Sequence, residues 1–342
     1  MTRMNRQWRL KRRPAGEIKD GDLEFVESPV PALADGQILV RTIYLSLDPT
    51  NRIWMSDIDQ YMPPVGIGDV MRGGVLGVVE ESRDPAKPVG AIVSPGIGGW
   101  QDYTIVEGGV AQIIPQIPGV PLSAFMSVLG LTGWTAYFGL LDIGQPKPGE
   151  TVVVSAAAGA VGSIVGQIAK IKGARVVGIA GGPDKCRWIT EELGFDGAID
   201  YKNEDVAAGL DRLCPNGIDV NFENVGGPIM DAVMARMNNF SRMPLCGMIS
   251  TYNADDFAPP KHFAAILMHR IRVQGFIVID YLPRFGEAIG DLSRWLMEGK
   301  LKYKVHIDQG LEGAPTSLKR LFTGAHDGKL LVQASPLPAG VM

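Results

Sequence analysis

Cysteine is scarce in this chain: Cys186, Cys214 and Cys246 stand far apart among 342 residues. An odd, sparse set builds no disulfide framework and fits a reducing compartment. Histidine is nearly as rare, with His262, His269, His306 and His326 the whole supply. His262 and His269 are spaced to share one helix face. No cysteine or acid accompanies them, so they read as polar helix positions, and no metal site is expected. Long apolar runs are missing as well. Nothing approaches the ~20 residues of a membrane span, and no apolar signal-peptide stretch follows the basic start RQWRLKRRP. A net charge of −4 gives no reason to expect nucleic acid or an anionic membrane as a partner. These absences leave a cytoplasmic, globular protein.

What is present divides in two. With 46% hydrophobic and 20% charged residues the chain can bury sizeable cores, and its length makes two domains the default. From Leu23 to about Ile114, short apolar runs (DLEFVE, QILVRTIYLSL, VLGVVEES, AIVSPG, WQDYTIVE) are broken by Gly and Pro, the texture of an all-β lobe. Pro115, Pro118 and Pro121 then punctuate the chain, and a helical segment is expected from near Ser123. From Thr151 strands alternate with helices. TVVVSA is followed by VGSIVGQIAKIKG, whose Val161, Ile164, Val165, Ile168, Ala169 and Ile171 have the spacing of a helix lying on a sheet.

Three more strand–helix pairs follow: ARVVGIA with DKCRWITEELG, GAIDY with EDVAAGLDRL, IDVNFEN with PIMDAVMARM. Strands RMPLCGMIS and IRVQGFIVI and the helix PRFGEAIGDLSRWLMEG close the series. Repeated βα units with short connections mean a doubly wound parallel sheet, an α/β class. The chain end (LKYKVHID, a helix over TSLKRLFTG, then KLLVQAS) returns to the first lobe. The expected division is residues 1–122 with 305–342 against 123–304. An exposed apolar edge strand invites pairing; IRVQGFIVI is read as such an edge, and a homodimer is expected.

The turn after the first strand of the series reads SAAAGAVGSIVG, residues 155–166. Against the dinucleotide fingerprint GxGxxG it places Ala157, Gly159 and Gly162 at the glycine positions. The second glycine admits the pyrophosphate and the third lets helix pack on strand; the helix N-terminus offers N–H groups to phosphate. In a strand–turn–helix context the signal is strong, and Gly159, Ala160, Val161 and Gly162 are expected to hold the pyrophosphate. At the end of the second strand, where an NAD site wants an acid, stand Ile179-Ala180-Gly181-Gly182-Pro183-Asp184-Lys185. A small open loop at Gly181 followed by Lys185, with Arg187 behind it, suits a 2′-phosphate, hence NADPH. Asp184 is read as the N-cap of the next helix.

These motifs stand in a familiar order. NRQWRLKRRPAGE, ESPVP, YLSLDP, MRGG, LTGWTAYFGLL, AAAGAVG, NVGG, GMISTYN and GKLLV run nearly end to end. The chain resembles the zinc-free medium-chain dehydrogenases/reductases that include prostaglandin, alkenal double-bond and curcumin reductases. The resemblance implies a GroES-like, mostly-β catalytic domain beside a Rossmann domain, and a dimer. It implies that Lys185 and Tyr201 hold the 2′-phosphate and adenosine end, and that Asn224 contacts the nicotinamide ribose. It further assigns Tyr252 to the ribose 2′-OH and the reacting oxygen. Pro49 and Thr135 fall at the nicotinamide pocket, and Phe276 to Val278 on a strand near the carboxamide.

Metal-dependent cousins carry Cys near YLSLDP and His-Glu near MRGG; here Leu45-Ser46-Leu47-Asp48 and Gly73-Gly74 stand there. Without ligands for a Lewis acid, hydride transfer calls for an acceptor that spreads charge by conjugation, such as an enone or enal. Tyr252 is then the catalytic donor to the enolate oxygen. Two departures from the family touch the acceptor side. Thr50-Asn51-Arg52 replaces the usual YMR, and His326 stands where GxNxGK has its asparagine. Asn51, Trp54 and Tyr61 are the candidate lining of the substrate pocket. A quinone reductase with the same cofactor and a non-catalytic NADPH-binding protein are the competing readings; the ISTYN segment argues against the second.

Overall fold

The computed structural model describes residues 3–254 and 258–341, which fall into two units. The first unit runs to Met126 and takes in Val305–His326 and the segment from Leu330; the second holds Ser127–Lys304 and Asp327–Lys329. The change of unit comes after Met126 rather than after Leu122. The 3₁₀ turn Leu122–Met126, found where a helix was expected, buries Leu122 and Met126 in the β lobe beside Ile43 and Leu76.

The first unit opens on a ribbon whose first strand sequence patterning missed. Strand β1 (Met4–Leu10) pairs antiparallel with β2 (Leu23–Pro29), and Trp8 packs on Phe25 with ring centroids 4.9 Å apart. Its alternating basic residues read as a charged start, but long Arg side chains hide an alternating pleat. Strand β3 (Gln37–Ser46) is the spine of the lobe. Helix α1 (Thr50–Trp54) follows it, then β4 (Arg72–Ser82), β5 (Ile92–Ser94), β6 (Ile97–Gly99), β7 (Tyr103–Glu107) and β8 (Gln112–Ile113). Trp100 is fully buried core.

In the second unit, helix α2 (Leu131–Phe138) precedes β9 (Thr151–Ser155), α3 (Gly162–Ile171), β10 (Arg175–Ala180), α4 (Pro183–Arg187) and β11 (Gly197–Asp200). Then come α5 (Val206–Leu213), β12 (Ile218–Phe222), α6 (Gly227–Met234), β13 (Met237–Leu245), α7 (Ala265–Met268), β14 (Arg272–Gly275) and α8 (Phe285–Met297). The strands form one parallel sheet in the order β11-β10-β9-β12-β13-β14. Every residue of β9 is buried, as both-face coverage of a central parallel strand requires. The winding reverses between β9 and β12, so the crevice of this fold lies at their C-terminal ends.

The chain then returns through β15 (Val305–Gln309), α9 (Ala314–Thr323) and β16 (Lys329–Gln333), and β16 pairs antiparallel with β3.

Three expectations are corrected. IRVQGFIVI is not one long strand: β14 stops at Gly275, and Val278 starts a 3₁₀ turn, Val278–Arg284. Aromatic anchoring outweighs β propensity there. Phe276 packs edge-on to Phe222 (6.3 Å) and Tyr281 stacks on Phe138 (4.6 Å). His262 and His269 do not share a helix, because α7 spans only Ala265–Met268. Asp184 is not an N-cap; Gly182 caps α4, and Asp184, inside the first turn, pairs with Arg187.

Candidate functional site

The glycine turn is closed by Ala156, which adopts φ 49° and turns its carbonyl back to accept from the Gly159 amide at 2.9 Å. Gly162 lies against that same carbonyl. A Cβ there would sit 2.5 Å from Ala156 O and 3.0 Å from Ala157 Cα, so only glycine lets α3 start this close to β9. Gly159, Ala160 and Val161 are half-exposed just ahead of α3, where a helix start favours an anion. One neighbour has no local signal in the sequence: Gly328 forms a parallel bridge with Gly159.

At the ends of β10 and β11, Gly181, Lys185 and Tyr201 come together. A Cβ on Gly181 would stand 2.8 Å from the Tyr201 ring, which is 41% exposed. Asp200 holds this loop through the Gly182 amide (2.7 Å) and the Lys202 amide (3.1 Å). Burial lowers the pKa of the half-buried Lys185, Asp327 raises it and Lys202 lowers it further. Two lysines that feel each other's charge beside an open glycine form an anion-seeking corner.

At the crevice itself, Asn224 Nδ2 donates to Ser155 O (2.7 Å) and the Asn224 amide donates to Ser155 Oγ (2.8 Å). Tyr252 follows a 3₁₀ turn over Ile249–Thr251, and its hydroxyl accepts from the Met248 amide at 3.0 Å. Ile249 N donates to Asn224 O at 3.1 Å, so the segments bearing Asn224 and Tyr252 are bonded to each other. Missed by sequence reasoning was Glu223, fully buried behind Asn224; an acid in the apolar strand IDVNFEN was the available signal. Thr135, on α2, gives its hydroxyl to Leu131 O (2.7 Å). Phe276 presses its ring against the Cα of Gly139, where a Cβ would stand 2.4 Å away, and Val278 is half-buried.

The first unit holds the other candidates. Pro49 precedes α1. Asn51, 1% exposed, is tied to backbone: its Oδ1 accepts from the Asp48 amide (2.8 Å) and its Nδ2 donates to Arg72 O (3.1 Å). Its amide thus braces the α1 turn. Trp54 Nε1 donates to Tyr61 Oη (3.0 Å), which also meets Thr50 Oγ1 (2.6 Å), and the Arg72 guanidinium lies over the Trp54 ring at 5.4 Å. His326 Nδ1 lies 3.3 Å from Arg320 O.

Among the described residues, no group of three or more His, Cys, Asp or Glu side chains is placed to hold a metal ion, and no helix is long and apolar enough to cross a membrane.

A Rossmann unit with a glycine turn at the switch point of its sheet, in one chain with a mostly-β unit, defines a medium-chain dehydrogenase/reductase. Two family models agree, the N-terminal domain of oxidoreductase over residues 6–114 and zinc-binding dehydrogenase over residues 160–294. The chain is 46% identical to the NADPH-dependent curcumin reductase of Escherichia coli (strain K12), over 97% of each chain. It is 38% identical to the 2-alkenal reductase (NADP(+)-dependent) of Nicotiana tabacum, over 97% of this chain and 98% of the relative. The crystal structure of CurA in complex with NADPH from Vibrio vulnificus matches with a TM-score of 0.92 at 47% identity, over 97% of this chain and all of that one. The chain belongs to the family of curcumin, prostaglandin and alkenal reductases.

Proposed function

We propose that this chain is an NADPH-dependent reductase of the carbon–carbon double bond of α,β-unsaturated ketones and aldehydes. The residues present fit the cofactor. Gly162 keeps the α3 start tight against β9, giving a turn of the kind that takes a pyrophosphate across Gly159, Ala160 and Val161. Gly181 opens onto Tyr201, and the paired charges of Lys185 and Lys202 suit a dianionic 2′-phosphate. Asn224 and Tyr252 would meet the nicotinamide ribose, with Thr135, Phe276 and Val278 nearer the ring. We also assign Pro49 and His326 to the cofactor, and Asn51, Trp54 and Tyr61 to the substrate.

NADPH, when bound, supplies the hydride that the enone β-carbon receives. The observation that carries the reading is the Tyr252 hydroxyl accepting from the Met248 amide at 3.0 Å. A phenol that accepts from an N–H becomes a stronger donor through its own O–H. It is then suited to the negative oxygen of the enolate, and a proton to the α-carbon completes the reduction. Tyr252→Phe removes that donor. Its kcat on an enone should fall about a hundredfold, the usual cost of one oxyanion donor, with NADPH binding nearly intact. Wild-type kcat would take Tyr252 out of the mechanism.

A homodimer through the β14 edge belongs to the same proposal. β14 ends the sheet with Val273 exposed. Phe263 and Leu267 of the same unit are 65% and 73% exposed beside a groove of about 470 Å³. An open edge with exposed apolar neighbours is stable in water when a second copy covers it. Sedimentation at the mass of one 36.8 kDa chain would refute the dimer.

A further inference from the structure

Glu223 follows β12 with a fully buried carboxyl and no cation within ion-pair distance among the described residues. Four donors converge on it. Val225 N–H (2.6 Å), Gly226 N–H (2.8 Å) and Ser155 Oγ–H (2.9 Å) reach one oxygen, and Asn221 Nδ2 (2.9 Å) reaches the other. Burial pushes the carboxyl pKa up, and these donors pull against it. Asn221 gives this bond although its own Oδ1 is buried without a partner.

The geometry has a directional consequence. Ser155 owns one hydroxyl hydrogen, and giving it to Glu223 leaves the oxygen to accept, as it does from the Asn224 amide. The Asn224 side chain donates one Nδ2 hydrogen to Ser155 O, which orients the amide and leaves its carbonyl oxygen and second Nδ2 hydrogen for a ligand; the oxygen is an acceptor suited to a ribose hydroxyl. The Glu223 main chain acts on the other segment. Its carbonyl accepts from the Cys246 (2.9 Å) and Gly247 (3.2 Å) amides, and the next amide, Met248, is the one bonded to the Tyr252 hydroxyl.

We propose that Glu223 is a positioning residue: through Ser155 it orients Asn224, through its carbonyl it seats the loop bearing Tyr252, and so it registers the two against each other. The proposal rests on the NADPH reading above. A carboxylate that served only to close the β12–α6 turn would need Val225 and Gly226 alone, and the Ser155 relay separates the two roles.

The test uses Ser155→Ala, Glu223→Gln and Glu223→Ala in the full chain. It reads the NADPH Kd by fluorescence titration, kcat and KM on an enone, and amide hydrogen exchange across residues 223–227 and 246–250 without cofactor. Ser155→Ala should weaken NADPH binding about tenfold, the scale of one lost buried hydrogen bond. Its kcat should fall with the enone KM unchanged, while exchange at Val225 and Gly226 stays slow. Glu223→Gln, which keeps an acceptor, should recover part of what Glu223→Ala loses, and exchange should quicken in both segments of the alanine variant. Should Glu223→Ala fail to fold, the other two decide. Wild-type Kd and kcat in both Ser155→Ala and Glu223→Gln, or faster exchange confined to residues 223–227, would overturn the positioning role. Failure of the unaltered chain to bind NADPH would instead overturn the reading on which it rests.

Discussion

Two neighbouring strand ends of one parallel sheet are built on opposite principles. At β9 and β12 the groups are buried and every named contact is short and local. Ser155 and Glu223 are fully buried, and Gly162 is wedged against a backbone carbonyl. At β10 and β11 the groups are half in water: Tyr201 is 41% exposed, and the half-buried Lys185 is tuned by partial burial first, then by Asp327 and Lys202 through space. The first end is fixed by packing and hydrogen bonds that cannot be rearranged cheaply. The second works through charges whose surroundings can adjust. Changes at the first should therefore show in stability as well as binding, and changes at the second in binding alone.

A matched pair of glycines tests that difference most severely. Gly162→Ala places a Cβ 2.5 Å from Ala156 O, and Gly181→Ala places one 2.8 Å from the Tyr201 ring. The distances are similar, but the neighbours are not. Ala156 O belongs to a backbone turn, already bonded to the Gly159 amide, whereas an exposed tyrosine ring can swing aside. Gly162→Ala should cost about 1–3 kcal/mol, the range for overpacking, and abolish tight NADPH binding. Gly181→Ala should melt within a degree or two of the unaltered chain and lose only part of the affinity. Thermal melts of both proteins check the contrast, and equal losses would dissolve it.

The same contrast explains what the sequence made legible. The βα series, the AAAGAVG turn and the open Gly181 loop with Lys185 could be read because each depends on local pattern: period, glycine, a nearby cation. The Ser155–Glu223–Asn224 relay could not. It joins β9 to β12 across 68 residues of chain, and an acid at the end of IDVNFEN marks an unusual position without saying which groups it bonds. The failure at IRVQGFIVI has the same root. Six β-branched or aromatic residues in nine are a strand by propensity, but Phe276 and Tyr281 find aromatic partners on Phe222 and Phe138 and bend the chain away after Gly275. The motif offers Asn51 for the pocket, and only the fold shows the two backbone bonds of its side-chain amide. Tertiary bonds decide these positions, and no local signal carries them.

The smallest expected effect is confined to the half-exposed corner. Lys185→Met removes one charge-assisted contact to the 2′-phosphate, about 1.5–3 kcal/mol. That should raise the NADPH Kd roughly ten- to a hundredfold, leave NADH binding unchanged and leave stability intact. The unaltered chain adds a pH signature whose sign follows from burial. Desolvation, aided by Lys202, holds the Lys185 pKa below its ordinary value. A bound dianion favours the protonated amine and pulls that pKa back up. Binding therefore takes up a proton at pH values between the two, and NADPH affinity is level at lower pH and falls as pH rises through the lowered pKa of the free protein. NADH lacks the phosphate and should show no such fall, and Lys185→Met should abolish it for NADPH. Parallel titrations of the two cofactors across the alkaline range measure it. If NADH loses affinity in step with NADPH, the fall belongs to another group, and Lys185 does not read the 2′-phosphate.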